Sequence, residues 1–150
     1  MKTVTTFCVF VSLFATGCFT KASTGQRTLA QIPPALLGCF TDDYGSNYVI
    51  SNNLWQHGQK ARYHLLQYNK VGQFFIAQND TANPTDACLY TRIDIVFFNN
   101  MEPWQWGFCL TAYNATTLQE ALQTPAANKS NPRKGCNGFP FSRMKKTITN

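Results

Sequence analysis

Histidine and acidic residues are scarce in this chain, which has two histidines and seven aspartates and glutamates among 150 residues. Neither histidine stands at metal-ligand spacing from a cysteine, and no Cys-x-x-Cys pair occurs, so a zinc site is not expected. A nucleophile elbow, a glycine-rich phosphate loop and a calcium-binding loop are also absent from the sequence. The sequence therefore predicts no catalytic residue, no metal and no cofactor.

One enzymatic alternative remains, the acid–base cleavage of RNA by His57 and His64 in a basic secreted protein. His64 falls on a predicted strand and His57 in a predicted turn, so nothing makes them converge. Asp42 and Asp43 are adjacent, and neighbours on a strand point to opposite faces, so these two carboxylates cannot both act on one substrate. A non-enzymatic protein is the main expectation, with a nuclease-like hydrolase as the alternative.

Long apolar runs are absent except near the N-terminus. Val4 to Ala15 follows a positively charged start and is too short to span a bilayer, which predicts a signal peptide over residues 1–22. The sequence Ala15-Thr16-Gly17-Cys18 also fits a bacterial lipobox, in which Cys18 would carry a lipid. We expect a secreted, extracellular protein, and the alternative is an envelope protein anchored by that lipid. Membrane contact is expected only in the second case.

The rest of the chain is long enough for one domain with a core. Residues 23–37 are polar and then proline-marked, which indicates a spacer. We expect a single β domain over residues 38–146 and a tail over residues 147–150.

Four cysteines follow the leader: Cys39, Cys88, Cys109 and Cys136. In an exported chain they predict structural disulfides, although their spacing allows three connectivities. We favour Cys39–Cys88 with Cys109–Cys136, because the second bridge would join an aromatic strand to the end of a helix and loop.

Alternating polarity is the strongest signal for secondary structure. Between Leu89 and Phe98 one face carries Thr91, Ile93, Ile95 and Phe97, and the other carries Arg92 and Asp94. Further short strands are predicted around residues 48–50, 62–68, 73–78, 104–112 and 139–144, with a helix over residues 116–123. This spacing predicts a mainly β fold, an antiparallel up-and-down barrel or sandwich with one short helix before the last strand. Arg92 and Asp94 are expected to form a solvent-facing ion pair, or, inside a barrel, a polar anchor for a ligand.

Three sequons occur, at Asn79, Asn114 and Asn128, and they are candidate glycosylation sites in a eukaryotic host. The chain is rich in Asn, Ser and Thr, so sequons of this number are expected by chance.

Positive charge is concentrated near the C-terminus. Six lysines and arginines and no acidic residue lie between Lys129 and Lys146. An ordinary solvated loop and tail explains this segment, and an anionic extracellular partner is the alternative. No RNA-binding signature accompanies it, so nucleic acid is not an expected partner.

Aromatic residues make up 14% of the chain. Most should form the core of a small β domain. An unfilled part of the interior could hold one small apolar or amphipathic ligand. The candidate ligand-binding residues are Tyr90, Trp104, Trp106 and Phe108.

Two resemblances support this interpretation. The segment from Ile32 to Phe40 resembles the opening of a lipocalin-type (calycin) barrel, with Phe40 where that family has tryptophan and Arg143 placed like the arginine that packs over it. That resemblance implies a calycin-like barrel and a lipocalin-like binding module.

The sequences LYTRID (89–94), PWQWGFCLTAY (103–113) and NPRKGCNGFPFSRM (131–144) are similar to small secreted or lipoprotein-type domains of uncharacterised activity. This second likeness supports the Cys109–Cys136 bridge and implies no activity. The expected function is therefore a secreted binding module for an apolar or amphipathic ligand. The alternative is an interaction or matrix protein that contacts an anionic partner through its basic C-terminal segment.

Overall fold

The fold is an eight-stranded antiparallel barrel. The computed structural model describes residues 31–147, and each strand pairs with its neighbours in sequence while β1 pairs with β8 to close the barrel. The elements are β1 (Gly38–Asp42), β2 (Asn47–Ile50), β3 (Leu54–His57), β4 (Ala61–Asn69), β5 (Phe74–Asn79), β6 (Tyr90–Phe97), β7 (Trp106–Ala115), α1 (Leu118–Gln123) and β8 (Ser142–Lys146). The prediction of a mainly β, calycin-like fold with one short helix before the last strand is confirmed.

The alternation of side chains along each strand fills the interior. Ile93 and Ile95 of β6 are fully buried inside, where they join large aromatic residues from the other strands. The largest of these have at most 1% of their surface exposed: Phe40, Trp55, Phe75 and Trp106. Burial of such a side chain contributes about 1.5–3 kcal/mol, so this interior is the main source of stability.

A short N-terminal helix covers one end of the barrel. The 3-10 helix Pro34–Leu36 leads directly into β1, and Leu36 and Ile32 belong to the same buried cluster as the barrel interior. We call this the closed end. The packed domain therefore includes residues that the sequence assigned to the spacer. No helix within residues 31–147 is long and apolar enough to cross a membrane.

Helix α1 begins with a side-chain cap at Thr117, inside the range predicted for the helix. The backbone N–H of Glu120 donates to the hydroxyl of Thr117, and the Glu120 carboxylate accepts from the N–H and hydroxyl of Thr116. This reciprocal arrangement satisfies donors that a helix start leaves unpaired. The helix then packs Ala121 and its neighbours against outward-facing Phe74 and Ile76 of β5.

The covering by α1 corrects the prediction for Arg92 and Asp94. Both point outward from β6, as predicted, but they are 5% and 0% exposed because the helix and the following loop lie over them. The Arg92 Nε donates to Asp94 over 2.9 Å, and its Nη1 donates to the carbonyls of Leu122 and Thr124. The pair therefore neither faces solvent nor lines the barrel interior, and it attaches the helix to the sheet.

Candidate functional site

A cavity of about 390 Å³ lies toward the end of the barrel opposite the closed end. We call it the mouth cavity. Its lining comes from β2, β3, β4 and β7, from Cys136 in the connection between α1 and β8, and from the first residue of β8. The lining residues are Tyr48, Trp55, His57, Tyr63, Phe108, Cys109, Leu110, Tyr113, Cys136 and Ser142.

The mouth cavity exists because one seam of the barrel is short. Strand β8 pairs with β7 only from Trp106 to Phe108. From Cys109 to Ala115, β7 pairs with β6 on one side and with no other strand of residues 31–147. The chain that follows α1 rejoins the barrel as β8 only beside Trp106 to Phe108, so the interior next to Leu110 is left partly open.

The inner wall of the cavity is aromatic. The ring centroids of Tyr48 and His57 lie 4.5 Å apart, with the rings only 13° from parallel. Phe108 meets Tyr48 and Trp55 edge-on, at centroid distances of 5.6 and 5.3 Å. Such contacts fix the rings in place and give the cavity an aromatic inner wall.

The mouth cavity carries no formal charge at neutral pH. Among residues 31–147, no lysine, arginine, aspartate or glutamate lines it. Burial raises the pKa of the Tyr48 hydroxyl, and its hydrogen bond to Asp42 raises that pKa further. Burial also raises the pKa of Tyr63. Burial lowers the pKa of His57 below its usual 6.5, and repulsion from Lys60 lowers it further, whereas Asp42 acts in the opposite direction.

The depressed pKa of His57 predicts a pH dependence of stability. The unfolded chain protonates this imidazole near pH 6.5, but the folded barrel resists protonation to a lower pH. Between the folded-state pKa and pH 6.5, the unfolded state therefore binds more protons than the folded state. The contribution of His57 to the free energy of unfolding is complete above pH 6.5 and is lost as the pH falls toward the folded-state pKa. We expect the urea midpoint of the wild type to fall between pH 7.5 and 5 by more than that of His57→Phe. Parallel curves for the two proteins would show that His57 titrates normally.

Two ring nitrogens in this region, His57 Nε2 and Trp106 Nε1, are buried without a hydrogen-bond partner among the described residues. Leaving such a group unpaired costs about 1–3 kcal/mol, and such groups are uncommon in native structures. His57 lines the mouth cavity directly, so its unpaired Nε2 lies at the candidate site.

The four predicted ligand-binding residues do not come together. Phe108 lines the mouth cavity, whereas Trp106 is fully buried in the core below it. Tyr90 packs on the outer face, against the cluster under α1. Trp104 lies on the outside, where Arg143 stands over its ring at 5.0 Å. The resemblance placed that arginine over residue 40, but Phe40 packs edge-on against Trp106 at 5.1 Å.

The two histidines occupy opposite faces of the barrel wall. His57 stacks on Tyr48 inside, and His64 of β4 contacts Asp80 over 2.7 Å on the outside. Asp42 and Asp43 also diverge, because Asp42 accepts from Tyr48 inside and Asp43 accepts from Arg143 outside. The sequence predicted that neither the two histidines nor the two aspartates would converge on one site. No group of histidine, cysteine or carboxylate side chains suited to a metal ion occurs within residues 31–147.

The disulfide prediction is half correct. The Cys109–Cys136 bridge is confirmed, and it lies at the rim of the mouth cavity. The Cys39–Cys88 bridge is wrong, because Cys39 is a free, exposed thiol while Cys88 is disulfide-bonded. Strand order explains the error: Cys39 lies on β1 and Cys88 hydrogen-bonds to the end of β5, so three strands separate them in either direction around the barrel.

The Asn79 sequon cannot be glycosylated in the folded protein. Asn79 is 3% exposed, and its side-chain nitrogen donates to the carbonyls of Asp86 and Tyr113 while its oxygen accepts from Thr91. Asn114 and Asn128 are exposed.

The predicted signal peptide and Cys18 lie outside the described residues.

The basic C-terminal segment does not present six free charges. The Lys129 ammonium donates to the carbonyls of Gly72 and Gln73 and lies 3.7 Å from Asp94. Arg143 donates to Asp43 over 2.9 Å. An anionic partner would therefore meet a smaller set of cations than the sequence suggests.

No protein-family model, curated protein or solved structure matches this chain. The Cys109–Cys136 disulfide is compatible with an extracellular location.

Proposed function

We propose that the protein is a secreted binding module that holds a small, uncharged, ring-bearing molecule in its mouth cavity. The observation that carries this proposal is the combination of an aromatic wall with a lining that, in the described part of the chain, contains no lysine, arginine, aspartate or glutamate. A charged ligand would lose its hydration there without gaining a partner, whereas an apolar ring would replace water on flat aromatic faces.

The filled core sets the size of the ligand. Trp55, Trp106 and Phe75 occupy the lower interior with at most 1% of their surface exposed. A long acyl chain extending toward the closed end would therefore have to displace packed aromatic side chains. The volume of about 390 Å³ suits a compact molecule of one to three rings, within the range of small-molecule sites.

Filling the mouth cavity tests the proposal. Leu110 is partly buried at the rim of the core and lines the cavity, so Leu110→Trp should occupy the space that a ligand would take. We expect it to weaken binding of the neutral fluorophore N-phenylnaphthylamine about tenfold or more, which corresponds to about 1.4 kcal/mol. The measurement is a fluorescence titration of the wild type and the variant.

Val49→Trp is the matched control. It introduces the same side chain on the outer face of β2, where Val49 is 50% exposed. It should leave the affinity unchanged. Equal binding by the Leu110→Trp variant and the wild type would contradict the proposal, and so would the absence of binding in the wild type.

A further inference from the structure

A second cavity, of about 440 Å³, lies on the outside of the barrel. It runs along the outer face of β7 and β8, between the β1–β2 turn, the β6–β7 loop and the loop that precedes β8. We call it the basic groove. Its lining residues are Asp43, Tyr44, Phe98, Met101, Pro132, Arg133, Pro140, Phe141 and Arg143.

The floor of the basic groove is apolar because of one glycine. A side chain at Gly107 would lie 2.9 Å from the Phe98 ring and 3.2 Å from the Phe141 Cβ, so only glycine admits both phenylalanines there. Phe141 is 1% exposed and forms the base, whereas Met101 is 39% exposed at the edge. The groove therefore offers an apolar surface that is open to solvent from the side.

Two guanidinium groups stand at this apolar surface. Arg143 uses its Nε to donate to Asp43, and 42% of its side chain remains exposed. Arg133 is exposed and makes no hydrogen bond or ion pair within the described part of the chain. Of the residues that the structure describes, Asp43 is the only acidic one in the lining, so these residues give the groove a net positive charge.

We propose that the basic groove binds an amphipathic anion, a carboxylate, sulfate or phosphate carried on an apolar body. Guanidinium groups present paired donors that match the oxygens of such head groups. Arg133 and the free nitrogens of Arg143 would hold the head group, and Phe98, Met101 and Phe141 would contact the body. This site is separate from the mouth cavity, which has the opposite requirement of an uncharged ligand.

Two fluorophores that differ by one charge separate the sites. Anilinonaphthalene sulfonate carries a sulfonate on nearly the same ring system as neutral N-phenylnaphthylamine. We expect the wild type to bind the sulfonate probe in a salt-dependent manner, because the Arg133 guanidinium is exposed to solvent. Leu110→Trp should weaken only the neutral probe.

Arg133→Gln tests the groove directly, and Lys134→Gln is its control. Both residues are exposed neighbours of like charge, but only Arg133 lines the groove. We expect Arg133→Gln to weaken binding of the sulfonate probe about tenfold, since hydrogen bonds to charged groups contribute at that level. Lys134→Gln should change it less than twofold, and binding of the neutral probe should stay constant in both variants.

Equal affinity of Arg133→Gln and Lys134→Gln for the sulfonate probe would overturn the proposal, as would binding that is insensitive to salt. The natural source of the anion is decided by sedimentation with phosphatidylglycerol vesicles. Co-sedimentation of the wild type that is lost in Arg133→Gln assigns the groove to lipid head groups. A wild type that does not co-sediment with the vesicles assigns the groove to a free amphipathic anion.

Discussion

Replacing Asp94 with alanine should destabilise the protein by about 3–5 kcal/mol, the usual cost of breaking a buried ion pair by removing one partner. Asp94 has none of its surface exposed and accepts hydrogen bonds from both Arg92 and Thr111. Its removal leaves the Arg92 guanidinium and the nearby Lys129 ammonium without their carboxylate. The two cations would then face each other where little water reaches them.

Urea denaturation of Asp94→Ala measures this cost, and His64→Ala provides the comparison. His64 contacts Asp80 over 2.7 Å at the surface, with 53% of the histidine side chain accessible. Loss of an exposed pair costs about 1 kcal/mol or less. A similarly small effect of Asp94→Ala would mean that the attachment of α1 to the sheet does not depend on this carboxylate.

The second large effect is expected from the Cys109–Cys136 disulfide. The bridge joins residues 27 apart, and the chain-entropy relation assigns about 3.5 kcal/mol to a loop of that length. Replacing both cysteines with alanine should lower the free energy of unfolding by about this amount. Because Cys109 and Cys136 also line the mouth cavity, binding of the neutral fluorophore should weaken as well.

Cys39→Ser is the control for the disulfide, since Cys39 is a free thiol on the exposed face of β1. Exposed substitutions of this kind usually change stability by no more than about 0.5 kcal/mol. Thermal unfolding of the two proteins under oxidising conditions gives the comparison. A large loss of stability in Cys39→Ser would mean that this cysteine is bonded after all.

Most of the fold followed from local patterns, because strands such as β6 carry their own alternation of side chains. The run Thr91, Ile93, Ile95 shows the period of two without reference to any other part of the chain, and all three side chains are buried. The signal for the helix predicted over residues 116–123 was equally local, because Thr117 caps α1 with its own side chain. Strands β1 and β3 were missed. Leu54–His57 is only four residues long and is followed by Gly58, which is typical of a turn.

The candidate site was less predictable because it depends on closure of the barrel. Phe108 was identified from its own strand, but Tyr48, His57 and Tyr63 line the cavity only because β2, β3 and β4 bring their inner faces to the end that Leu36 does not cover. The alternation around Trp55 and His57 was the available signal, and the turn assigned to His57 concealed it. The Cys39–Cys88 pairing was wrong for the same reason, because the number of residues between two cysteines does not predict how far apart they lie around a closed barrel.

Native mass spectrometry tests the central claim most directly. Wild-type protein and Leu110→Trp would be purified from their own host, and their masses recorded before and after unfolding. We expect the wild type to carry a small neutral molecule that is lost on unfolding, and the variant to carry none. The same adduct on both proteins would place the ligand outside the mouth cavity, and bare masses for both would contradict the role of a carrier.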